Sequence, residues 1–381
     1  MAGSTERARG LADALFVDAA ETDREGGFPQ HSIELLHGAG LLDASVATTC
    51  CDASAGRVER ARELLHTLCA VGRGSLVVGR LFEGHVNALQ LIERYGTPVQ
   101  RERAAADASS GCLFAVWNTQ ADDGVRMRTT SEGVLLAGSK TFASGLGHAS
   151  RAIVTAARDD GGEPGVQMLV VETDRYRPRE ERAFWRPLGM RATASFRADF
   201  TGLRLRGDAL LGSSGDYFRE PAFSGGAIRF AAVQQGGAEA VFDETRRFLR
   251  ALGRTDDASQ QARLGEMAWR IEAARLWLDG AAAHAAAAMA SGSVDEAAAK
   301  RAVAYAHLMR SAIEEGCLRV LALAERSVGA RGLLRPEPFE RLHRDLTHYL
   351  RQPAPDAALV AAGRHVLGDA SRADRLWPLA L

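Results

Sequence analysis

Five cysteines, Cys50, Cys51, Cys69, Cys112 and Cys317, are the first residues to weigh, because thiols can hold metals or exchange electrons. Their number is odd, no two have CxxC spacing and no pair of histidines stands nearby, so they read as reduced thiols, not as a zinc site or a disulfide framework. The adjacent Cys50 and Cys51 would need a thiolate-stabilising environment to be reactive. No histidine or carboxylate pair at i, i+3 or i, i+4 has a further metal-ligating partner in view. Gly133 and Gly138 precede Lys140, but in a hairpin pattern and not ahead of a helix, so the phosphate cradle of nucleotide-triphosphate chemistry is not indicated. Glu340 and Asp345 are flanked by arginines and read as their ion-pair partners. From residue types alone, Trp117 and Phe142 read as β-core and Ser144 as a turn residue.

The 381-residue chain carries 47 basic and 48 acidic side chains, a formal charge of −1, so no net field recruits nucleic acid or an anionic membrane. Its 46% hydrophobic residues can bury the cores of two or three structural units. The opening MAGSTERARGLADALF puts charges where a secretory signal needs an apolar run, and no window approaches about 20 apolar residues. A soluble, cytoplasmic protein is expected.

Three regions differ in periodicity. Residues 1–110 are helical, with Leu35, Leu36, Leu41, Leu42, Leu64, Leu65 and Leu68 at spacings of three, four and seven, and 45–57 reads as a loop between helices. Residues 111–215 break into short β-branched and aromatic runs separated by Gly, Asp and Pro, predicting an antiparallel β-domain with turns at Ser131-Glu132-Gly133 and Asp159-Asp160-Gly161-Gly162. Residues 216–381 return to helix. Leu264, Met267, Ile271, Ala274 and Leu278 form one stripe, and the alanine-rich stretch 281–306 allows helices to approach closely. The expected fold is mostly α with a central antiparallel β-domain: an N-terminal helical domain, a small β-barrel and a C-terminal four-helix bundle.

That order of regions resembles the acyl-CoA dehydrogenase superfamily. The resemblance is carried by Phe28-Pro29 followed by Gly40-Leu41, by FAVWNTQADDGV (114–125), GSKTFASGLGHAS (138–150), RPLGMRATASFRADFTGLRL (186–205), GAIRFAAVQQGGAEAVFD (226–243), LGEMAWRIEAAR (264–275) and PFERLHRD (338–345). It implies a flavin, FAD with FMN as the shorter alternative. By the same resemblance Phe142 supplies an aromatic wall, and the Ser144 hydroxyl is a donor near N5. Phe114, Val116, Trp117, Asn118, Thr119 and Asp123 line the other edge, and Arg326 and Gly329 stand on the adenosine side. A homodimer or homotetramer is implied as well.

The resemblance fails at the base. A dehydrogenase of this family uses a carboxylate to remove a proton α to a thioester carbonyl. The positions that would carry it are occupied by Arg351 or Pro353 near the chain end and by Ile228 on the first bundle helix. Asp356 is the nearest replacement, and Arg229 is left to bind a substrate anion. The family's adenosine-side arginine loop is shortened to 253–259. Three functions follow: an acyl-CoA or acyl-thioester oxidoreductase with an unorthodox base and an electron-transfer partner, a flavin monooxygenase of the same fold fed by a flavin reductase, or a non-catalytic partner subunit. The monooxygenases of this fold use histidines and a serine, which His85, His348 and Ser144 resemble, with His348 one residue out of register.

Overall fold

The computed structural model describes residues 2–47, 54–159, 165–288 and 295–378. Six helices come first: α1 (Ser4–Thr22), α2 (Gln30–Gly38), α3 (Ala44–Ala47), α4 (Ser54–Gly74), α5 (Leu76–Tyr95) and α6 (Pro98–Ser109). Local chemistry sets several of their ends. The Ser75 hydroxyl accepts from Val78 N–H to start α5, and Thr97 and Gln100 form a reciprocal capping box around Pro98 at the start of α6. Part of the expected loop at 45–57 is helical at both ends, in α3 and α4; Cys50 and Cys51 lie outside the described residues.

Ten strands follow: β1 (Phe114–Trp117), β2 (Arg126–Thr130), β3 (Gly133–Ala137), β4 (Ser139–Ala143), β5 (Arg151–Arg158), β6 (Val166–Glu172), β7 (Arg179–Glu181), β8 (Phe196–Asp199), β9 (Arg204–Leu205) and β10 (Leu210–Leu211). They form two sheets instead of the expected barrel. One has seven strands, in the order β10-β6-β5-β2-β3-β9 with β1 also on β5, and the other is β4-β8-β7. Nor is the layer wholly antiparallel, since β1 and β2 both run parallel to β5. β5 is buried from Ala152 to Ala156, as befits a strand covered on both faces. The β2–β3 hairpin closes at Thr130↔Gly133 around Ser131-Glu132 as its sequence predicts, whereas Asp160–Gly162 of the second turn lies outside the described residues.

The helices that return are α7 (Gly225–Ala251), α8 (Ala258–Ala288), α9 (Glu296–Gly332), α10 (Pro338–Tyr349) and α11 (Pro355–Gly368). α7, α8 and α9 pack on one another, and α4 from the first region packs along α7 and α8 to complete the layer. Two glycines make the α4–α7 crossing possible: a Cβ on Gly236 would stand 2.1 Å from the Cys69 carbonyl oxygen, and one on Gly72 would stand 2.5 Å from that of Val233. The predicted stripe on α8 does face inward at Met267, Ala274 and Leu278. One continuous apolar core runs through both helical regions and the sheets. No described helix is long and apolar enough to cross a membrane.

Candidate functional site

Strain marks one place in the molecule. Among the described residues, four non-glycine residues have positive φ, and three of them, Phe142 (52°), Met190 (60°) and Ala194 (46°), belong to β4 and the loop facing it. Each such conformation costs about 1–3 kcal/mol and persists only where surrounding structure enforces it. The enforcement is visible. Gly189 lies so close to α10 that a Cβ would stand 2.1 Å from the Arg344 carbonyl oxygen, and the buried Asp345 carboxylate accepts the Met190 N–H at 2.6 Å. Burial raises Asp345 to about 6, opposed by that hydrogen bond and by Arg341.

What the strain produces is an aromatic shelf. Phe142 ends β4 with its side chain 49% exposed, although a phenyl ring gains most from burial. Phe184 and Trp185 meet it edge-on, with ring centroids at 5.3 and 6.0 Å, and His348 meets Trp185 edge-on at 5.6 Å. His348 is half-buried, which lowers its pKa, and its ring nitrogens have no hydrogen-bond partner among the described residues. Trp185 is fixed by donation from its Nε1 to the Arg191 carbonyl.

Beneath the shelf runs a chain of hydroxyls. Ser144 Oγ lies 2.8 Å from Ser195 Oγ, Ser195 Oγ lies 2.7 Å from Thr193 Oγ1, and Thr193 Oγ1 donates to the Met190 carbonyl at 2.9 Å. Trp117 Nε1 donates to the Ser144 carbonyl. Lys140, fully buried, donates from Nζ to the Asn118 carbonyl and to Thr155 Oγ1, which donates in turn to Asn118 Oδ1. With no carboxylate at hand, burial alone lowers Lys140 to about 7.

α5 leads from the shelf to a larger space. Arg80 and Gly84 line a pinhole of ≈ 10 Å³ together with Val116 and Ser144. About 4.5 Å further along the helix axis, at 1.5 Å per residue, Asn87 and then Gln90 line a cavity of ≈ 260 Å³. Much of its wall is small or apolar, including Leu64, Ile92, Ile228, Ala281 and Ala302, and Glu93, Arg94 and Arg101 add charge to it. Between the two spaces sits a buried ion cluster. Glu83 binds Arg80 at 3.1 Å and Arg229 Nε at 3.4 Å, and Arg229 also donates to Gln90 Oε1 at 2.7 Å and Asn87 Oδ1 at 2.6 Å. Burial lowers the Arg229 pKa, and Glu83 opposes that.

Several expected assignments are therefore corrected. Arg229 is not left over to bind an anion, because α5 supplies three acceptors to it. His85 has both ring nitrogens engaged by backbone groups. It is fully buried, its Nε2–H donates to the Leu42 carbonyl at 2.7 Å, its Nδ1 accepts the Phe114 N–H at 3.1 Å, and burial lowers its pKa to about 4. Asp356 is exposed to solvent in the first turn of α11, away from the shelf residues named above. Phe114 and Trp117 are core residues, packed on His85 and Phe200 respectively, while Val116 and Asn118 are half-buried. Thr119 and Asp123 are exposed at the strand end, with Asp123 paired to Arg197 and Ser139. Arg326 and Gly329 are exposed on α9, where Gly329 breaks the helix with φ 61°.

Of the predicted residues, the structure brings Phe142, Ser144 and His348 together. It adds Phe184, Trp185, Thr193 and Ser195 to them. No sequence signal marks the last two, because a 3-10 turn ending at Thr193 and the positive φ of Ala194 bring their hydroxyls together, not strand alternation.

Fold and site together define a class. Residues 228–350 match the acyl-CoA dehydrogenase C-terminal domain family. The dibenzothiophene monooxygenase of Mycolicibacterium goodii is 25% identical over 95% of this chain and 93% of its own length. The 3-sulfinopropanoyl-CoA desulfinase of Paraburkholderia xenovorans (strain LB400) is 28% identical over 89% of this chain and 88% of its own. Among solved structures, the dibenzothiophene monooxygenase TdsC of Paenibacillus sp. A11-2 superposes with a TM-score of 0.85 at 20% identity, covering 98% of this chain and 100% of TdsC. TdsC has also been solved with FMN and indole bound. Through the matched segment 228–350 the chain resembles the acyl-CoA dehydrogenase superfamily, and along nearly its whole length it resembles the flavin monooxygenases of the same fold.

Proposed function

We propose that the chain is a flavin-dependent monooxygenase that uses reduced flavin and dioxygen on a small apolar substrate. The observation that carries this reading is that neither position where a dehydrogenase's base would stand holds a carboxylate, while Glu93, which lines the cavity, is exposed to solvent. Ile228 forms apolar wall where one base would stand. Arg351, at the other position, is exposed and faces Glu314 at 3.8 Å, and Pro353 carries no proton acceptor on its side chain. Glu83 is held between two arginines, and Asp345 is engaged by Met190.

The residues present fit an isoalloxazine ring. An exposed aromatic face in a strained conformation, an indole at its edge and a hydroxyl below suit a flat, mostly apolar heterocycle. FMN is favoured over FAD, because the loop at 253–259 on the adenosine side is short and TdsC has been solved with FMN bound. When bound, the flavin supplies the redox chemistry. Phe142 and Trp185 set the ring plane, and the half-buried His348, kept neutral near pH 7 by its lowered pKa, holds or moves a proton at its imidazole nitrogen. The alanine-rich cavity would take the substrate. A reductase would supply reduced flavin, and homo-oligomerisation is part of the same reading.

Arg94 and Arg101 line the same cavity, which favours a second reading in which an acyl-CoA presents its phosphates there. One experiment separates the two. Purified protein given reduced FMN in air should consume oxygen faster with dibenzothiophene or indole than without. Anaerobic bleaching of bound flavin by isobutyryl-CoA would instead establish dehydrogenation, and protein that binds no flavin in either redox state would refute both.

A further inference from the structure

From the proton count along the hydroxyl chain we infer that Ser195 and Thr193 fix the Ser144 hydroxyl as a hydrogen-bond acceptor toward the shelf, so that the site selects reduced flavin over oxidised. The inference rests on the flavin reading above and goes beyond it. Three oxygen–oxygen lines have to be filled, at 2.8, 2.7 and 2.9 Å, and each needs one proton between its oxygens. Each hydroxyl owns one proton, and the Met190 carbonyl at the end of the chain owns none. A single assignment satisfies all three lines: Thr193 donates to Met190, Ser195 donates to Thr193, and Ser144 donates to Ser195.

Ser144 is thereby spent as a donor. Its N–H is engaged by the Phe142 carbonyl and its own carbonyl by Trp117 Nε1, so the lone pairs of Oγ are its remaining polar offering. Ser195 and Thr193 are 3% and 1% exposed, so water cannot reverse the chain from below. This replaces the expectation of a donor beside N5. A flavin nitrogen N5 carries a proton when reduced and only a lone pair when oxidised. An acceptor fixed beside it therefore gains a hydrogen bond from the reduced form and opposes lone pair to lone pair in the oxidised one. Ser195 and Thr193 act through Ser144 and are positioning residues.

The test uses the full chain and FMN. Anaerobic titration with oxidised and with dithionite-reduced FMN, followed by quenching of tryptophan fluorescence, gives both dissociation constants. Reduced FMN should bind on the order of 10-fold more tightly, as one neutral hydrogen bond implies, and the midpoint potential of bound flavin should lie about 30 mV above that of free FMN for a tenfold preference. Ser195→Ala returns the Ser144 proton to free rotation, so the preference should fall toward unity. Thr193→Val should lower it too, and Thr193→Ser, which keeps the hydroxyl, should retain it. Circular dichroism and thermal melts identify variants that misfold, and the wild-type potential tests the idea without any variant. Equal affinities in the wild type, or a preference that Ser195→Ala and Thr193→Val both leave intact, would overturn the inference and spare the flavin reading. Protein that binds neither form of FMN would overturn both.

Discussion

Replacing Lys140 with methionine should change how stability depends on pH. The side chain is fully buried between β4 and β5, has two neutral acceptors and no carboxylate, and titrates at about 7 instead of 10.5. In the unfolded chain the ammonium keeps its proton up to about 10.5, whereas in the folded protein it is released above about 7. Between those values the unfolded state binds more protons, so raising the pH stabilises the fold, by up to about 1.4 kcal/mol per pH unit. Below about 7 both states are protonated and the whole penalty of a buried cation is present, about 5 kcal/mol as an upper figure. Lys140→Met removes this slope and that penalty, and it leaves the Asn118 carbonyl short of a donor, which costs about 1 kcal/mol. Urea unfolding of both proteins from pH 6 to pH 10 provides the assay, because the difference between them cancels every other titration. The wild type should gain on the variant as pH rises through about 7 to 10. Parallel profiles over that range would refute a lysine that is neutral when folded.

Three further outcomes follow from the same geometry. His85→Ala strands the Leu42 carbonyl and the Phe114 N–H inside the core and should cost about 3 kcal/mol in chemical denaturation, while turnover per folded molecule stays within about twofold, against the hundredfold loss expected of a general base. Arg229→Met leaves Glu83 with Arg80 alone and should destabilise by about 3–5 kcal/mol, with Arg229→Lys recovering part of it in the same denaturant series. Phe142→Gly relieves the positive φ, so thermal unfolding should shift by less than about 1 kcal/mol either way, while FMN affinity measured by fluorescence falls roughly fivefold.

Much of the architecture could be read from periodicity, because a helix that buries one face writes that face into its sequence at spacings of three and four. The α8 stripe at Met267, Ala274 and Leu278 is an example, and the Thr130↔Gly133 hairpin is its β counterpart. Pairing across the chain left no such trace. The parallel run of β1 beside β5 and the absence of a barrel depend on which strands meet, and alternation within a strand is silent on that point. The site shows the same division. Phe142 and Ser144 could be picked out because they sit in one recognisable run. His85 misled because its acceptor is the Leu42 carbonyl, 43 residues away, and Arg229 because its carboxylate stands on α5, 146 residues away. A residue type advertises chemistry, but only the fold decides whether a neighbour has already used it.

The bond from Met190 to Asp345 spans 155 residues, and His348 stands one turn further along the helix that holds it. The bed for a bound ring is thus assembled from halves of the chain that meet late, since contacts of such long sequence separation are the slowest to close. During refolding, recovery of the near-ultraviolet aromatic signal should lag behind the return of helix, and ligand capture should wait for it. A fragment ending before α10 would keep Phe142 and Ser144 yet lose the Asp345 carboxylate that takes the Met190 N–H, so splitting the chain there separates folding of the sheets from formation of the shelf.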